Sequence, residues 1–512
     1  MNKYWASQIA DQVLIGRPGT ITLATGITPS GPYHIGHLRE MIITDALNDE
    51  LVSRGVKTRF IYFIDDLDNL RKLYPFLPKS FARYVHYPIC NIPSPEKSGE
   101  TYAQYFLKPF EEALKKLGIS VEFHYAHQYY QQGKMTSSIT KALEKRDEIA
   151  EILSRVSGRK LPEDWQPFEP LDKTTGKIRG ARILDVDTKN TRVRYLSENG
   201  KKYWADYSRG EGKLPWRIDW PARWALLDVA FEPFGKEHAA AGGSYDVGAE
   251  IAQKIYGKTA PEYVVYEHVY LKGEQKKMSA SLGNLISLDE FLNIVPPAVA
   301  RYFVLRSRNE RHIVFDPGEG LMQLTDEFAR LEQKVTAGQA STAEQSVYRL
   351  SQVTDEKVSI EVPFSHLVNV VQAAQGNIDE IQRLLKRTGH VASLKSDAEL
   401  KEQVKRVKLW LKKYAPENIK FEILSNPPSL TLENKEEKML QVVAHTVERG
   451  LVGIDLHNAI YEAGRAEGLK PRETFALIYK IFLGKDSGPK AGFFLSMLEK
   501  DFVLQRLRHY TK

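Results

Sequence analysis

The chain has 512 residues, 42% hydrophobic and 27% charged, which suggests about three or four folding units at roughly 100–200 residues each, with apolar material for more than one core. Its net charge of +7 favours a polyanionic partner without requiring one. Cys90 is the only cysteine, which excludes internal disulfides and a cysteine-based zinc ribbon. No apolar run approaches the ~18 residues of a membrane span and no signal-peptide core is visible, so a soluble cytoplasmic protein is expected.

The first part reads as α/β. Thr20–Ala24 has the β-branched character of a short strand. It runs into a turn-rich segment, Gly26 to Pro32, and then a helix carrying Leu38, Ile42, Ala46 and Leu47. Thr58–Ile64 is the near-continuous apolar run of a buried parallel strand, completing a βαβ unit. Residues 75–100, with Pro75, Pro78, Pro88, Pro93 and Pro95, read as loop. The pattern then predicts a helix over Gly99–Leu117, a strand at Val121–Phe123 and a helix over Gln132–Ser154. Ala181–Val186, Thr191–Leu196 and Lys201–Tyr207 resemble three antiparallel strands, a small β insertion. The α/β pattern resumes with Trp216–Phe231, a helix over Tyr245–Tyr256 and a strand at Tyr263–Leu271. Beyond 286 the chain reads as helical, with Ala337–Val358 as a polar linker. One late helix carries Leu400, Val404, Val407, Leu411 and Tyr414 at helical spacing, with Lys401, Lys405, Lys408 and Lys412 on another face, for a single helix most simply a solvated one.

Two segments carry the chemistry. The first is Thr25-Gly26-Ile27-Thr28-Pro29-Ser30-Gly31-Pro32-Tyr33-His34-Ile35-Gly36-His37, where a strand hands over to a helix. A helix N-terminus presents unpaired N–H groups and a partial positive charge, which suits phosphate. His34 and His37 add donors that strengthen as charge builds in the transition state, and Gly36 leaves room for adenine against the backbone. The second is Lys276-Lys277-Met278-Ser279-Ala280-Ser281-Leu282-Gly283-Asn284, a Lys/Ser loop suited to gripping pyrophosphate. Alone it would read as a basic surface loop; paired with the first it reads as the other half of an ATP site.

The two boxes resemble those of class I aminoacyl-tRNA synthetases, and the wider text is similar to the class I lysyl-tRNA synthetases. The resemblance covers nearly the whole chain: Thr28–Arg39, Phe63–Asp68, Ser98–Ala103, Trp216–Pro221, Phe231–His238 and Gly242–Asp246, then Phe315–Gly318, Phe364–Leu367 and Gly484–Pro489. Two departures stand out. Ala280 and Leu282 occupy positions where the general class I loop has lysines, which leaves the grip to Lys277, with Lys276 beside it. Relatives also often carry a cysteine-rich zinc module in the catalytic domain. The three short strands here have no cysteine, so no zinc is expected and an apolar core of Ile183, Val193 and Trp204 must hold them.

The resemblance implies an α/β fold. A Rossmann-like parallel-sheet catalytic domain spans 1–290, with an insertion at about 75–210 that includes the β module at about 178–210. A helical connecting region follows at 291–345, and an all-α anticodon-binding domain at 346–512. It implies attack of the lysine carboxylate on the α-phosphate of ATP, which Mg²⁺ accompanies, and transfer of the lysyl group to the terminal adenosine of tRNA(Lys). A monomer is favoured. ATP falls to Pro29, His34, Gly36, His37, Lys277, Met278, Ser279 and Ser281, with His34, His37 and Lys277 catalytic. Lysine needs an anion for its ε-ammonium and an aromatic wall for its methylenes; Gly26, Thr28, Trp220, His238, Tyr245 and Asp246 are the candidates. Trp220 has an alternative as core, Asp246 as a helix N-terminal residue, and Asp65, Asp66 and Asp68 as groups that cap or line the strand end. The competing readings are a class I synthetase of different amino-acid specificity, a non-catalytic tRNA-binding paralogue and an RNA-independent ligase.

Overall fold

The computed structural model describes residues 3–275, 278, 285–353, 362–390 and 397–511. Two compact units emerge. The first holds the described residues up to Leu292, together with Pro296–Phe315 and the helix Thr342–Ser351; the second holds Asp316–Gln339 and the described residues from 362 onward.

The first unit is built on a parallel sheet. Strands β1 (Ile21–Ile27), β2 (Thr58–Ile64) and β3 (Glu122–Tyr125) lie in the order β3-β2-β1, and the short strand Val229–Phe231 joins the other side of β1. β1 is two residues longer than its β-branched run indicates. It takes in Gly26, which lies opposite Phe63 of β2. Ile21 to Thr25 are all buried, because helices cover both faces of a parallel sheet. Helix α1 (Trp5–Val13) packs on helix α2 (Ile35–Ser53), the crossover that joins β1 to β2.

Four expectations need correction. The helix over Gln132–Ser154 is two, Thr136–Glu144 and Arg146–Ser157, separated at Lys145 and preceded by Ala126–Gln131. Gly133 takes a left-handed φ of 70° and turns the chain out of that first short helix. The strand over Tyr263–Leu271 divides into Val265–Tyr266, parallel to Phe234–Gly235, and Val269–Leu271, parallel to Ile313–Phe315. Within the supposed linker Ala337–Val358, Thr342–Ser351 is a helix. Ser341 and Glu344 cap it reciprocally, a signal present in the sequence. The β insertion forms three antiparallel strands, Arg182–Asp187, Arg192–Leu196 and Lys202–Asp206. Val193, Tyr195 and Ala205 are fully buried beneath them and Ile183 packs alongside. Trp204 is not in that core. It pairs with Arg194 on the opposite face, its ring 4.4 Å from the Arg192 guanidinium.

The second unit is helical in its described residues. In the helix Asp397–Lys413, Leu400, Val404, Val407 and Trp410 are buried while Lys401, Lys405, Lys408 and Lys412 face solvent. Trp410, rather than Leu411, completes the buried stripe, and its indole N–H donates to the Pro317 carbonyl at 2.7 Å.

Candidate active site

The start of α2 is organised by its own histidines. His34 is the N-cap residue. The Gly36 N–H donates to His34 Nδ1 at 3.1 Å, and the His34 N–H donates to His37 Nδ1 at 3.0 Å. With both Nδ1 atoms accepting, each neutral ring carries its proton on Nε2. Burial pushes the His37 imidazole down to about 4, so at neutral pH it acts as an N–H donor without full charge. Gly36 has a local reason beyond leaving room for adenine. A Cβ there would lie 2.8 Å from His34 Cε1, so only glycine lets the capping ring fold over the first turn.

The two histidines line two cavities. One, of about 250 Å³, is bounded by Thr28, Ser30 and Gly31 on the turn and by Tyr74 and Phe76 opposite. The other, of about 280 Å³, is bounded by Gly36, Gly235, His238, Tyr266, His268 and Met278. Met278 is buried in this wall, and its N–H donates to the Val269 carbonyl at 3.4 Å. One residue of the second motif thus shares a cavity with the first. Lys277, Ser279 and Ser281, with Ala280 and Leu282, lie outside the described residues. Pro29 is buried in the turn.

The residues singled out for lysine separate into three groups. Gly26 and Thr28 stand at the carboxyl end of β1. The Gly26 N–H donates to Glu40 Oε1 at 3.3 Å, and the Thr28 hydroxyl donates to Asp68 Oδ2 at 2.7 Å. Trp220, His238 and Tyr245 come together in one aromatic cluster: Trp220 is 5.7 Å from both His238 and Phe234, and Phe234 is 5.0 Å from Tyr245. Asp246 stands apart, accepting the Gly242 N–H at 2.9 Å on the first turn of the helix Ser244–Lys254, its alternative as a helix N-terminal residue.

The aspartates after β2 are engaged with protein partners. Arg223 bridges Asp65 at 2.9 Å and Asp219 at 2.7 Å. Lys213 bonds Asp68, and His127 bonds Asp66 through both its backbone N–H and its ring. Lys213 and Arg223 are themselves buried, so this network places two cations among four acids beneath the sheet's carboxyl edge. Burial still holds Asp65 up at about 7 despite Arg223.

Sequence reasoning missed this pairing, and it missed Arg39. The Arg39 guanidinium is fully buried and donates to the carbonyls of Glu267 at 2.5 Å, Asn309 at 3.0 Å and Arg311 at 2.8 Å. It fastens the helix that starts at the first motif to the strand that leads to the second. Arg39 is the only basic residue on α2 apart from its first-turn histidine, and one sequence does not name its partners.

A strand-to-helix turn whose histidines share a cavity with Met278 of the second motif points to a class of protein, and similarity to known proteins agrees with it. The family profile for tRNA synthetases class I (K) matches residues 3–354, and the chain belongs to that family. It is similar over its length to lysine–tRNA ligases of archaea. That of Methanosarcina acetivorans is 40% identical, with 99% of this chain and 98% of the relative covered. That of Archaeoglobus fulgidus is 39% identical, with 99% of each covered.

Proposed function

We propose that this chain catalyses lysine–tRNA ligation, activating lysine with ATP and passing the lysyl group to the 3′-terminal adenosine of tRNA. The observation that carries the reading is the cavity in which the His34–Gly36–His37 helix start meets Met278 of the second motif. Full-length similarity to lysine–tRNA ligases supports the choice of amino acid.

In the first step a lysine carboxylate oxygen attacks the α-phosphorus of the magnesium-bound nucleotide, and pyrophosphate leaves. Such a displacement requires mainly positioning and charge stabilisation. The α2 N-terminus and the Nε2–H donors of His34 and His37 face the phosphates as charge builds. Gly36 and Met278 border the adenine, and Lys277 with Ser279 and Ser281 holds the pyrophosphate. Trp220, His238 and Tyr245 wall the lysine stem. In the second step the activated carbonyl passes to a ribose hydroxyl of the tRNA end, the 2′-hydroxyl by family resemblance.

The helical unit is the anticodon-binding part in this reading. Its cavity of about 720 Å³ is lined by His366, Arg387, His390, Lys490, Phe493 and Lys500, a set that offers aromatic rings for stacking and cations for phosphate. Pyrophosphate exchange across a panel of amino acids tests the activity. Lysine-dependent exchange, slowed by at least about 100-fold in His37→Ala with the fold retained, is expected. Exchange with another amino acid alone, or near-normal exchange in the variant, would sink it.

A further inference from the structure

His34 and His37 line two cavities, and ATP held against Gly36 and Met278 accounts for only one of them. The other, of about 250 Å³, lies between the Thr28–Gly31 turn and the rings of Tyr74 and Phe76. No carboxylate lines it among the described residues.

The segment that supplies the two rings has a particular composition. No acidic residue falls between Asp68 and Glu96, whereas Arg71, Lys72, Lys79 and Arg83 do, interleaved with Tyr74, Phe76, Phe81, Tyr84 and Tyr87. Cations tracking phosphates and rings stacking on bases are the two elements of a surface for unpaired nucleic acid. Arg71 and Lys72 are exposed, and Lys72 Nζ stands 5.5 Å from the Tyr74 ring centroid. Packing alone does not account for the rings beside them. Leu77 and Phe81, from the same segment, are buried in a small core, while Tyr74 and Phe76 stay half-buried on the cavity wall.

That wall is held firmly. Phe76 meets Phe106 of the helix Tyr102–Lys116 edge-on at 5.6 Å, and Tyr74 stacks on Phe76 at 5.3 Å with the ring planes 7° apart. A Cβ on Gly31 would lie 2.6 Å from Phe76 Cζ, so glycine lets the turn close on the ring. The Tyr102 hydroxyl donates to the Ser30 carbonyl at 2.6 Å and fixes the same turn. The result is a pre-formed slot with an aromatic wall and cations at its mouth, which suits a planar base carrying a phosphate and repels a free cationic amino acid. Lysyl transfer needs two adenosines at one reaction centre, that of ATP and the unpaired one that ends the tRNA. Two cavities that share two histidines provide for both.

We propose that this second cavity receives the 3′-terminal adenosine of tRNA, its base on the Tyr74 ring and the phosphates of the single-stranded end against Lys72 and Arg71. The proposal rests on the lysine–tRNA ligation reading and deepens it by naming where the acceptor end docks.

The test uses the full-length enzyme charging tRNA(Lys) with lysine. Tyr74→Leu keeps apolar bulk and removes the ring; Tyr74→Phe keeps the ring. In Tyr74→Leu, kcat/KM for tRNA is expected to fall about 10- to 100-fold, with the KM for ATP and for lysine changed less than about threefold. Tyr74→Phe is expected to restore charging to within about threefold of wild type. The deciding probe is tRNA(Lys) shortened by its terminal adenosine, used as a competitive inhibitor. It lacks the stacking base, so its inhibition constant is expected to be the same in wild type and Tyr74→Leu. Equal weakening of intact and shortened tRNA, which a purely structural role predicts, would overturn the proposal. So would unchanged charging by Tyr74→Leu, or a raised KM for ATP with unchanged tRNA kinetics, which would give the cavity to the nucleotide. Wild-type enzyme that does not charge tRNA(Lys) with lysine overturns the underlying reading instead, a result separable because no variant enters it.

Discussion

Glu40 is a buried acid whose ionisation works against the stability of the fold. Burial raises its carboxyl from 4.5 to about 8. A carboxyl whose folded pKa stands above its unfolded value holds its proton more tightly when folded. Its ionisation therefore destabilises the fold progressively as pH rises from about 4.5 to about 8, and has no such effect below that window. Glu40→Gln removes that ionisation. The variant is expected to melt at a higher temperature than the wild type at pH 8, with the gap shrinking towards pH 5; a gap independent of pH would show that Glu40 is not ionising in the fold. Other acids with raised values, such as the half-buried Asp49 at about 6, titrate in both proteins and cancel in the comparison. A second prediction concerns Gly36. Alanine is the better helix former by about 1 kcal/mol, yet its Cβ would meet the His34 ring at 2.8 Å. Gly36→Ala is expected to slow exchange by more than 10-fold through loss of the His34 cap; an active, more stable variant would refute that role.

The element that organises the site is α2. Its start was legible, because a Pro/Gly turn followed by His-Ile-Gly-His after a strand is local text. Its fastening was not. Arg39 reaches carbonyls of Glu267, Asn309 and Arg311, and Arg301 reaches back to Asp45, to Asp49 at 3.1 Å and to the Leu350 carbonyl at 3.0 Å. These contacts span up to 272 residues of sequence. A single sequence shows a charge at a position of helical periodicity and nothing of what it meets. The same limit explains Trp204. Its identity suggested core, but strand alternation with Val193 and Ala205 places it on the other face. The Thr342–Ser351 helix is a different failure, since its capping box was readable and low apolar content outweighed it. Arg39→Lys tests the fastening. An ammonium cannot reproduce a planar fork spread over three carbonyls, so a loss of about 2–4 kcal/mol is expected from denaturant unfolding. Retained stability would mean that the fork is dispensable.

At the scale of the whole molecule, α/β in the first part and helix in the second followed from hydrophobic periodicity, and the structure agrees with both. What periodicity could not give was the chemistry of the helical unit, because its large cavity draws residues from helices and turns spread over more than a hundred positions. If that cavity receives an unpaired anticodon base, its residues divide by the kind of force they supply. Phe493 is 41% exposed and Lys490 lies 5.9 Å from its ring centroid. Base stacking on an aromatic ring is worth about 1–3 kcal/mol and does not depend on salt, whereas each phosphate contact contributes about one unit to the slope of log affinity against log salt. Phe493→Ala is therefore expected to weaken tRNA binding by roughly 10- to 100-fold at every salt concentration, with an unchanged slope. Lys490→Gln is expected to flatten the slope by about one unit and to lose its effect as salt rises. Filter binding of tRNA(Lys) across a salt series reads both. Parallel shifts from both variants would assign Lys490 to packing around Phe493, and no shift from either would place the anticodon elsewhere on the helical unit.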